Sequence, residues 1–282
     1  MVTYATASLL GFIQGVAEFL PISSSGHLSL MQHLLGLLNG TDQDILFDVL
    51  LHLGTLIAVF VAYWHDVLDL IRDFFGILAR LFTRSGEPPR GRVSPNGRMV
   101  LLLIVATLPL VLIVPIKDYV TGLYGNTLFI GGALLVTGFL LFFSDRIRQG
   151  RKTARSATIR DALIVGLGQS LAVVPGLSRS GTTISVGMML GFDRKFAVRF
   201  SFLLSIPAVL GANVLEIGDA VKAGIDVSLL PVYLLGMAIA AVSGFVAIKL
   251  VNLLAQKGKF GSFAYYCWAV GLIAIITTLV KG

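Results

Sequence analysis

The sequence predicts an all-α polytopic integral membrane protein, an inverted-topology repeat with six transmembrane helices and two re-entrant helix hairpins. Hydrophobic residues make up 56% of the 282 residues and charged residues 13%, about half the ~25% of an ordinary soluble domain. A mean hydropathy of +0.88 leaves too few polar side chains to cover a soluble globule of 30.1 kDa. Composition therefore excludes a soluble enzyme and a disordered chain, and the one cysteine, Cys267, excludes a disulfide scaffold.

Long stretches without a formal charge give the positions of the spans. Uncharged runs of 26, 22 and 21 residues follow Asp118, Asp226 and Lys259. Each run is long enough for a helix to cross a hydrocarbon layer of ~30 Å, and shorter apolar runs complete a set of six. The predicted spans are 45–65, 98–116, 126–144, 196–216, 228–250 and 261–280.

Two further apolar stretches, 2–38 and 161–191, are each broken by proline and a Ser/Gly cluster. The breaks are Pro21-Ile-Ser-Ser-Ser-Gly26 and Pro175-Gly-Leu-Ser-Arg-Ser-Gly181. Neither half of either stretch is long enough to span, so we interpret both as re-entrant hairpins. Irregular backbone at membrane depth is tolerated only where protein buries it or where it lines a cavity, so both breaks are predicted to lie inside the protein.

The distribution of Arg and Lys predicts the orientation of the chain in its membrane. Segments 66–98 and 145–161 each carry six basic residues, whereas 39–48 carries three Asp and no basic residue. Basic loops stay in the cytoplasm, which places both termini outside, the first hairpin entering from outside and the second from inside. The net charge of +7 then reflects loops that face anionic membrane lipids, and no nucleic-acid partner is expected. We interpret 66–98 as a loop with an amphipathic start lying on the interface.

The halves 1–150 and 151–282 are predicted to be inverted repeats within a single membrane domain, 1–282. A shift of 155 residues aligns GFIQGVAEFLPISSSG (11–26) with GLGQSLAVVPGLSRSG (166–181). One hairpin and three spans per half require the second copy to be upside down, and binding sites of such proteins lie where the repeats meet. The matched pairs include Gly11/Gly166, Gln14/Gln169, Ser23/Ser178, Ser25/Ser180 and Gly26/Gly181.

Both breaks carry residues suited to bind an anion. Serines can cap the half-helix that follows each break, and free N–H groups at a helix N-terminus favour negative charge. Arg179 adds a guanidinium fork that matches phosphate geometry, while Glu18 and His27 supply acid–base groups. If the breaks meet, these groups surround one phosphate-sized space. Candidate phosphate-binding residues are Gln14, Ser23, Ser25, Gly26, Ser178, Ser180, Gly181, Thr182 and Thr183.

Each of these polar residues can also be interpreted as having a structural role. Glu18 and Arg179 can be an ion pair that joins the halves, although intramembrane charges are more often functional. Ser24 can be a simple helix cap and His27 a core hydrogen-bonding group. We interpret His52, four residues after an aspartate, as a structural or rim residue.

The two motifs resemble those of the bacterial undecaprenyl-diphosphate phosphatase family, which is also known for conferring bacitracin resistance. The first motif is Gln14-x-x-x-Glu18 followed by Phe-Leu-Pro-Ile-Ser-Ser-Ser-Gly-His (19–27), and the second is Pro-Gly-Leu-Ser-Arg-Ser-Gly-Thr-Thr (175–183). Smaller landmarks at 51–55 and 200–208 extend the resemblance over essentially the whole chain. The resemblance implies an inner-membrane hydrolase that removes one phosphate from a polyprenyl diphosphate, recycling the lipid carrier for peptidoglycan synthesis.

The family resemblance also implies a divalent cation, Mg²⁺ or Ca²⁺, and a homodimer. Glu18 and Gln14 are the candidate metal ligands. Many relatives carry Glu at the first motif position, so the presence of Gln14 here leaves charge compensation mainly to Glu18.

Our mechanistic hypothesis takes Glu18, Ser24, His27 and Arg179 as the catalytic residues. Ser24 is the nucleophile, with Ser23 as the alternative, and Glu18 or His27 accepts its proton. Direct attack by water and a phospho-His27 intermediate remain open. The cleft is expected to open to the periplasmic side. The competing hypothesis is a secondary transporter or polyprenyl-phosphate flippase, because inverted repeats suit such proteins equally well.

Overall fold

The computed structural model describes residues 2–36, 45–82, 95–224 and 226–281, and these residues fold almost entirely into helices. A 3-10 segment, Leu108–Ile116, continues the fifth helix. The helices are α1 (Tyr4–Phe19), α2 (Ser24–Leu34), α3 (Ile45–Ala62), α4 (Trp64–Phe82), α5 (Pro95–Thr107), α6 (Lys117–Gly122), α7 (Thr127–Arg146), α8 (Ile159–Leu171), α9 (Arg179–Met189), α10 (Arg194–Ala223), α11 (Leu230–Gln256) and α12 (Ser262–Lys281).

Six helical runs within the described ranges are long and apolar enough to cross a membrane, which confirms the predicted all-α membrane class. Their outer faces carry large apolar side chains such as Val242 and Val280, which are 69% and 80% exposed. A soluble monomer does not tolerate such extended apolar patches, but lipid covers them. The runs are Ile45–Ala62, Gly97–Gly125, Thr127–Arg146, Arg194–Lys222, Val227–Gln256 and Ser262–Val280.

The segment after α3 is a helix where the sequence predicted a loop. Its charged residues lie between apolar ones at helical spacing, so that α4 is amphipathic: Val67 is buried and Phe75 is 61% exposed. Asp66 ties its start to α10, because both carboxylate oxygens accept hydrogen bonds from Arg199, at 2.6 and 2.9 Å. The rest of the predicted loop, at 83–94, lies outside the described residues.

Glycines allow the broken helices to pack closely against long ones. A Cβ added to Gly11 of α1 would collide with the carbonyl oxygen of Gly236 in α11. A Cβ on Gly166 of α8 would collide in the same way with the carbonyl of Ala106 in α5. Close backbone approach of this kind is how helices associate where lipid removes the hydrophobic driving force.

The two chain breaks are in direct contact in the interior. A Cβ on Gly26 would lie 3.0 Å from the Cα of Gly176, and one on Gly181 would lie 3.2 Å from the Cβ of Pro21. The hydroxyl of Ser180 also donates to the carbonyl of Leu20 at 3.3 Å. The residues between α1 and α2 and those between α8 and α9 therefore form one junction.

Candidate active site

Serine side chains cap both half-helices at the junction, as their positions predicted. The Ser23 hydroxyl accepts from the Gly26 N–H at 3.3 Å, and the Ser178 hydroxyl accepts from the Gly181 N–H at 3.1 Å. Ser23 has φ of 71°, in the left-handed region that non-glycine residues rarely occupy. This conformation turns the chain sharply just before Ser24, where α2 begins.

A cavity of about 500 Å³ opens beside the junction. The breaks contribute the carboxylate, hydroxyls and guanidinium that the sequence singled out. The remaining wall is largely apolar and comes from the 3-10 segment, the start of the second break and the middle of α10. Polar lining residues are Glu18, Ser23, Ser24, Ser25, His52, Thr107, Lys117, Tyr124, Gln169, Ser178, Arg179, Asn213 and Glu216.

Glu18 is the centre of the polar cluster and is 7% exposed. One carboxylate oxygen accepts from the Nη2 of Arg179, across the junction. The other accepts from the hydroxyl of Ser24 at 2.6 Å and from the amide of Gln14 at 3.1 Å. Both carboxylate oxygens are thus satisfied, which a buried ion pair requires to be stable.

Two polar atoms of this cluster have no hydrogen-bond partner among the described residues. They are the Nη1 of Arg179 and the Oε1 of Gln14, both buried. A guanidinium donor without a partner beside a serine is suited to hold a phosphate oxygen. The amide oxygen of Gln14, next to the Glu18 carboxylate, is suited to accept a hydrogen bond or to coordinate a cation.

The oxygen ligands in this cluster can hold a divalent cation only if the substrate supplies further ligands. No group of three His, Cys, Asp or Glu side chains that could hold a metal occurs in the described part of the chain. Mg²⁺, however, is usually bound by one or two carboxylates together with substrate phosphates. Glu18 offers the carboxylate of that set from the cavity wall, and Gln14 adds an amide oxygen that is fully buried and does not line the cavity.

His27 lies at the junction but faces away from the cavity. Its Nδ1 is 2.8 Å from the Ser23 carbonyl, which can only accept, so Nδ1 carries the proton. Its Nε2 is then free to accept from the hydroxyl of Tyr266 in α12, at 2.9 Å. The ring therefore donates a hydrogen bond that stabilises the carbonyl of Ser23, the residue with the left-handed backbone conformation.

The other predicted residues of the second motif lie on α9 behind the cavity wall. Thr183 is buried, and its hydroxyl contacts that of Ser201 at 2.6 Å and donates to the Arg179 carbonyl at 2.9 Å. Thr182 is buried as well, with no partner for its hydroxyl in the described ranges. The structure thus brings Arg179 to the cavity and uses Thr183 to hold the first turn of α9.

Several polar lining residues were missed by the sequence reasoning. His52 was interpreted as a structural or rim residue, and it lines the cavity together with Glu18 and Glu216. Its Nδ1 is 2.8 Å from the Asp48 carbonyl, and its Nε2 has no hydrogen-bond partner within the described ranges. Gln169 could have been found, because it aligns with Gln14 in the repeat.

The fold and the site together define a multi-pass membrane protein in which a buried Glu18 contacts the half-buried Ser24 and Arg179 where two helix breaks meet. The chain belongs to the family of the bacitracin resistance protein BacA, whose sequence profile matches residues 7–273.

Curated relatives are similar over nearly their whole length. A protein of Methanosphaera stadtmanae named undecaprenyl-diphosphatase is 41% identical over 284 residues, covering 99% of this chain and all of the relative. Proteins with the same name from Alkaliphilus metalliredigens and Halothermothrix orenii are 41% and 42% identical, over 97% and 95% of this chain and 98% and 95% of their own.

Proposed function

We propose that the protein hydrolyses undecaprenyl diphosphate to undecaprenyl phosphate and inorganic phosphate where the two breaks meet. The observation that carries this is the 2.6 Å hydrogen bond from Ser24 to Glu18, whose other carboxylate oxygen binds Arg179. A hydroxyl with its base beside an arginine forms a nucleophile and an anion-stabilising group in one site. The name that the curated relatives share, undecaprenyl-diphosphatase, supplies the substrate.

Ser24 is the group best placed to attack the terminal phosphorus. In the proposed first step its oxygen bonds to phosphorus, its proton moves to Glu18, and the bond to the bridging oxygen breaks. Glu18 returns the proton to the departing lipid phosphate. It then takes a proton from the water that attacks phosphoserine and passes it to the Ser24 oxygen as the bond to phosphorus breaks. Arg179 stabilises the charge that spreads over the equatorial oxygens.

The alternatives have weaker geometric support. Ser23 caps α2 with its hydroxyl, and both nitrogens of His27 are engaged, one by the Ser23 carbonyl and the other by the Tyr266 hydroxyl. His52 is a further proton acceptor that faces the same cavity and supports the direct-water variant. Trapping with labelled substrate followed by phosphopeptide mapping separates these routes, because phosphate found on His27 contradicts the serine mechanism.

A divalent cation, Mg²⁺ or Ca²⁺, is proposed to bind at Glu18 and Gln14 together with the substrate. Gln14 supports this because its Oε1 is buried and has no partner within the described ranges. When bound, the cation supplies positive charge that neutralises the diphosphate. The residues themselves position the phosphate and move the proton.

The helix pairs α1/α2 and α8/α9 are proposed to be re-entrant hairpins of two inverted repeats. With 16, 11, 13 and 11 residues, each helix falls short of the ~20 needed to span. The contacts of Gly26 with Gly176 and of Gly181 with Pro21 support a two-fold relation. A shift of 155 residues relates Gly26 to Gly181 and Pro21 to Gly176, so it converts each of the two contacts into the other. Such reciprocal contacts are typical of a two-fold axis.

The cavity is proposed to open to the outside, with both termini there. It extends from the junction to Lys117 and Glu216, in the part of the molecule where Lys117 binds Asp219 at 2.7 Å. The segments near these residues lack the Arg clusters of the cytoplasmic loops. Outward access suits a lipid diphosphate released by cell-wall synthesis, and its turnover accounts for bacitracin resistance. The homodimer implied by the family resemblance stays a prediction.

Phosphate release separates this proposal from a transporter or flippase. Purified protein in detergent, given a long-chain prenyl diphosphate with Mg²⁺ or Ca²⁺, is expected to release phosphate. Ser24→Ala should lower the rate by about 10³-fold or more. Ser29→Ala is the matched control, because Ser29 is a buried serine of α2 that does not line the cavity. Absence of phosphate release by the wild-type protein favours the transporter.

A further inference from the structure

Two buried amide side chains in the cavity have atoms without a hydrogen-bond partner among the described residues. Gln169 of α8 is 1% exposed, and neither its Oε1 nor its Nε2 has a partner. Asn213 of α10 is 3% exposed, and its Nδ2 has none. Both line the cavity that holds Ser24 and Arg179. Burial of an amide without a partner is unfavourable, so the contents of the cavity must supply these partners.

Comparison of the two halves explains why Gln169 has no partner. Its counterpart Gln14 donates to Glu18, four residues later, at 3.1 Å. The corresponding residue in the second half is Val173, which cannot accept a hydrogen bond. The second half therefore retains the buried amide and lacks the carboxylate, which leaves Gln169 available to a ligand.

We propose that Gln169 and Asn213 form a subsite for the phosphate that stays on the lipid. This inference rests on the proposed function, in which Ser24 and Arg179 hold the terminal phosphate. The stretches that carry the two amides also carry apolar lining residues, among them Leu177 and Val209. Because the prenyl chain is apolar, the phosphate attached to it is expected to bind next to that apolar wall.

Neutral amides suit this position chemically. Their N–H groups donate to phosphate oxygens, which orients the head group so that the terminal phosphorus faces Ser24. Because they add no charge, they hold the monophosphate product less strongly than a second arginine would. Gln169 and Asn213 thus act as positioning residues for the leaving group.

Gln169→Met tests the subsite, because methionine fills a similar volume without a hydrogen-bonding group. Its KM for the lipid diphosphate should rise about tenfold, the equivalent of one lost hydrogen bond. Methylenediphosphonate, which is not hydrolysed, should raise the unfolding temperature of the wild type and have little effect on the variant. The unfolding temperature without ligand should equal or exceed that of the wild type. Asn213→Leu should behave in the same way and serves as the second variant.

Ser170→Ala is the control, since Ser170 is buried on α8, donates to the Gly166 carbonyl at 3.0 Å and does not line the cavity. The subsite is rejected if both amide variants keep the wild-type KM, or if methylenediphosphonate stabilises them as much as the wild type. A lower unfolding temperature with unchanged KM indicates a purely structural amide. Failure of the proposed function appears separately, as a wild type that releases no phosphate yet responds to methylenediphosphonate.

Discussion

Glu18 links the two halves of the molecule through its hydrogen bonds. Its carboxylate accepts from Gln14 and Ser24 in its own half and from Arg179 in the other. Removing one partner of a buried ion pair leaves an uncompensated charge and costs about 3–5 kcal/mol. Tests of catalysis therefore need substitutions that keep the charges balanced.

Arg179→Lys keeps the positive charge and removes the guanidinium fork. Nη2 of Arg179 already binds Glu18, so a phosphate depends on the second nitrogen, Nη1, which lysine lacks. Phosphate release should fall about 10²-fold, while the unfolding temperature stays close to that of the wild type. Arg199→Lys is the control, because Arg199 pairs with Asp66 and does not line the cavity. Equal loss in both variants contradicts a phosphate-binding role for Arg179.

At the residue scale, the sequence predicted which side chains are chemically notable but not which way each one faces. The charged pair Glu18 and Arg179 was predictable, because isolated charges in apolar helices require a partner. His27 and His52 were not, because the direction of each ring depends on helix packing. His27 contacts Tyr266 of α12, 239 residues away in sequence, and no local pattern encodes that contact.

At the element scale, α1 and α8 are held by backbone contacts that only glycine permits. Gly11→Ala and Gly166→Ala place a methyl group against a carbonyl of α11 and α5, respectively. Each should lower the free energy of unfolding by about 1–3 kcal/mol, the usual cost of overpacking. The measurement is unfolding of the purified variants in detergent.

Gly132→Ala is the matched control for these two substitutions. Gly132 lies within α7, and a Cβ there would meet nothing within 4 Å. This variant should be as stable as the wild type or slightly more stable, because alanine favours helix. If Gly11→Ala proves as stable as Gly132→Ala, the close packing of α1 against α11 is wrong.

The sequence did not determine whether the segment that forms α4 is a helix or a loop. The charges of 66–98 marked a segment whose described first part, α4, is not among the six runs apolar enough to span. The same charges favoured a loop, although Val67 and Leu70 pack on one side of a helix and contribute to the core. Transmembrane helices are predictable from sequence, because a long apolar run in a membrane has few alternatives to a helix. A helix at the interface depends on what it packs against.

At the scale of the whole molecule, the orientation can be tested with single cysteines in a Cys267→Ser background. Thr121→Cys and Ser156→Cys lie on exposed segments at the two predicted faces. An impermeant thiol reagent applied to intact cells should label position 121 and not position 156 until the cells are opened. The reverse pattern places the cavity mouth in the cytoplasm and contradicts the outward opening.

The proposed mechanism requires residues from both breaks to act as one catalytic site. Phosphate release from Ser24→Ala, Arg179→Lys and the double variant, measured together, tests this requirement. Residues that act as a unit are strongly non-additive, so the double variant should be about as slow as the slower single variant. A double variant slowed by the product of the two single effects, about 10⁵-fold, contradicts this requirement, because it indicates that the two breaks act independently.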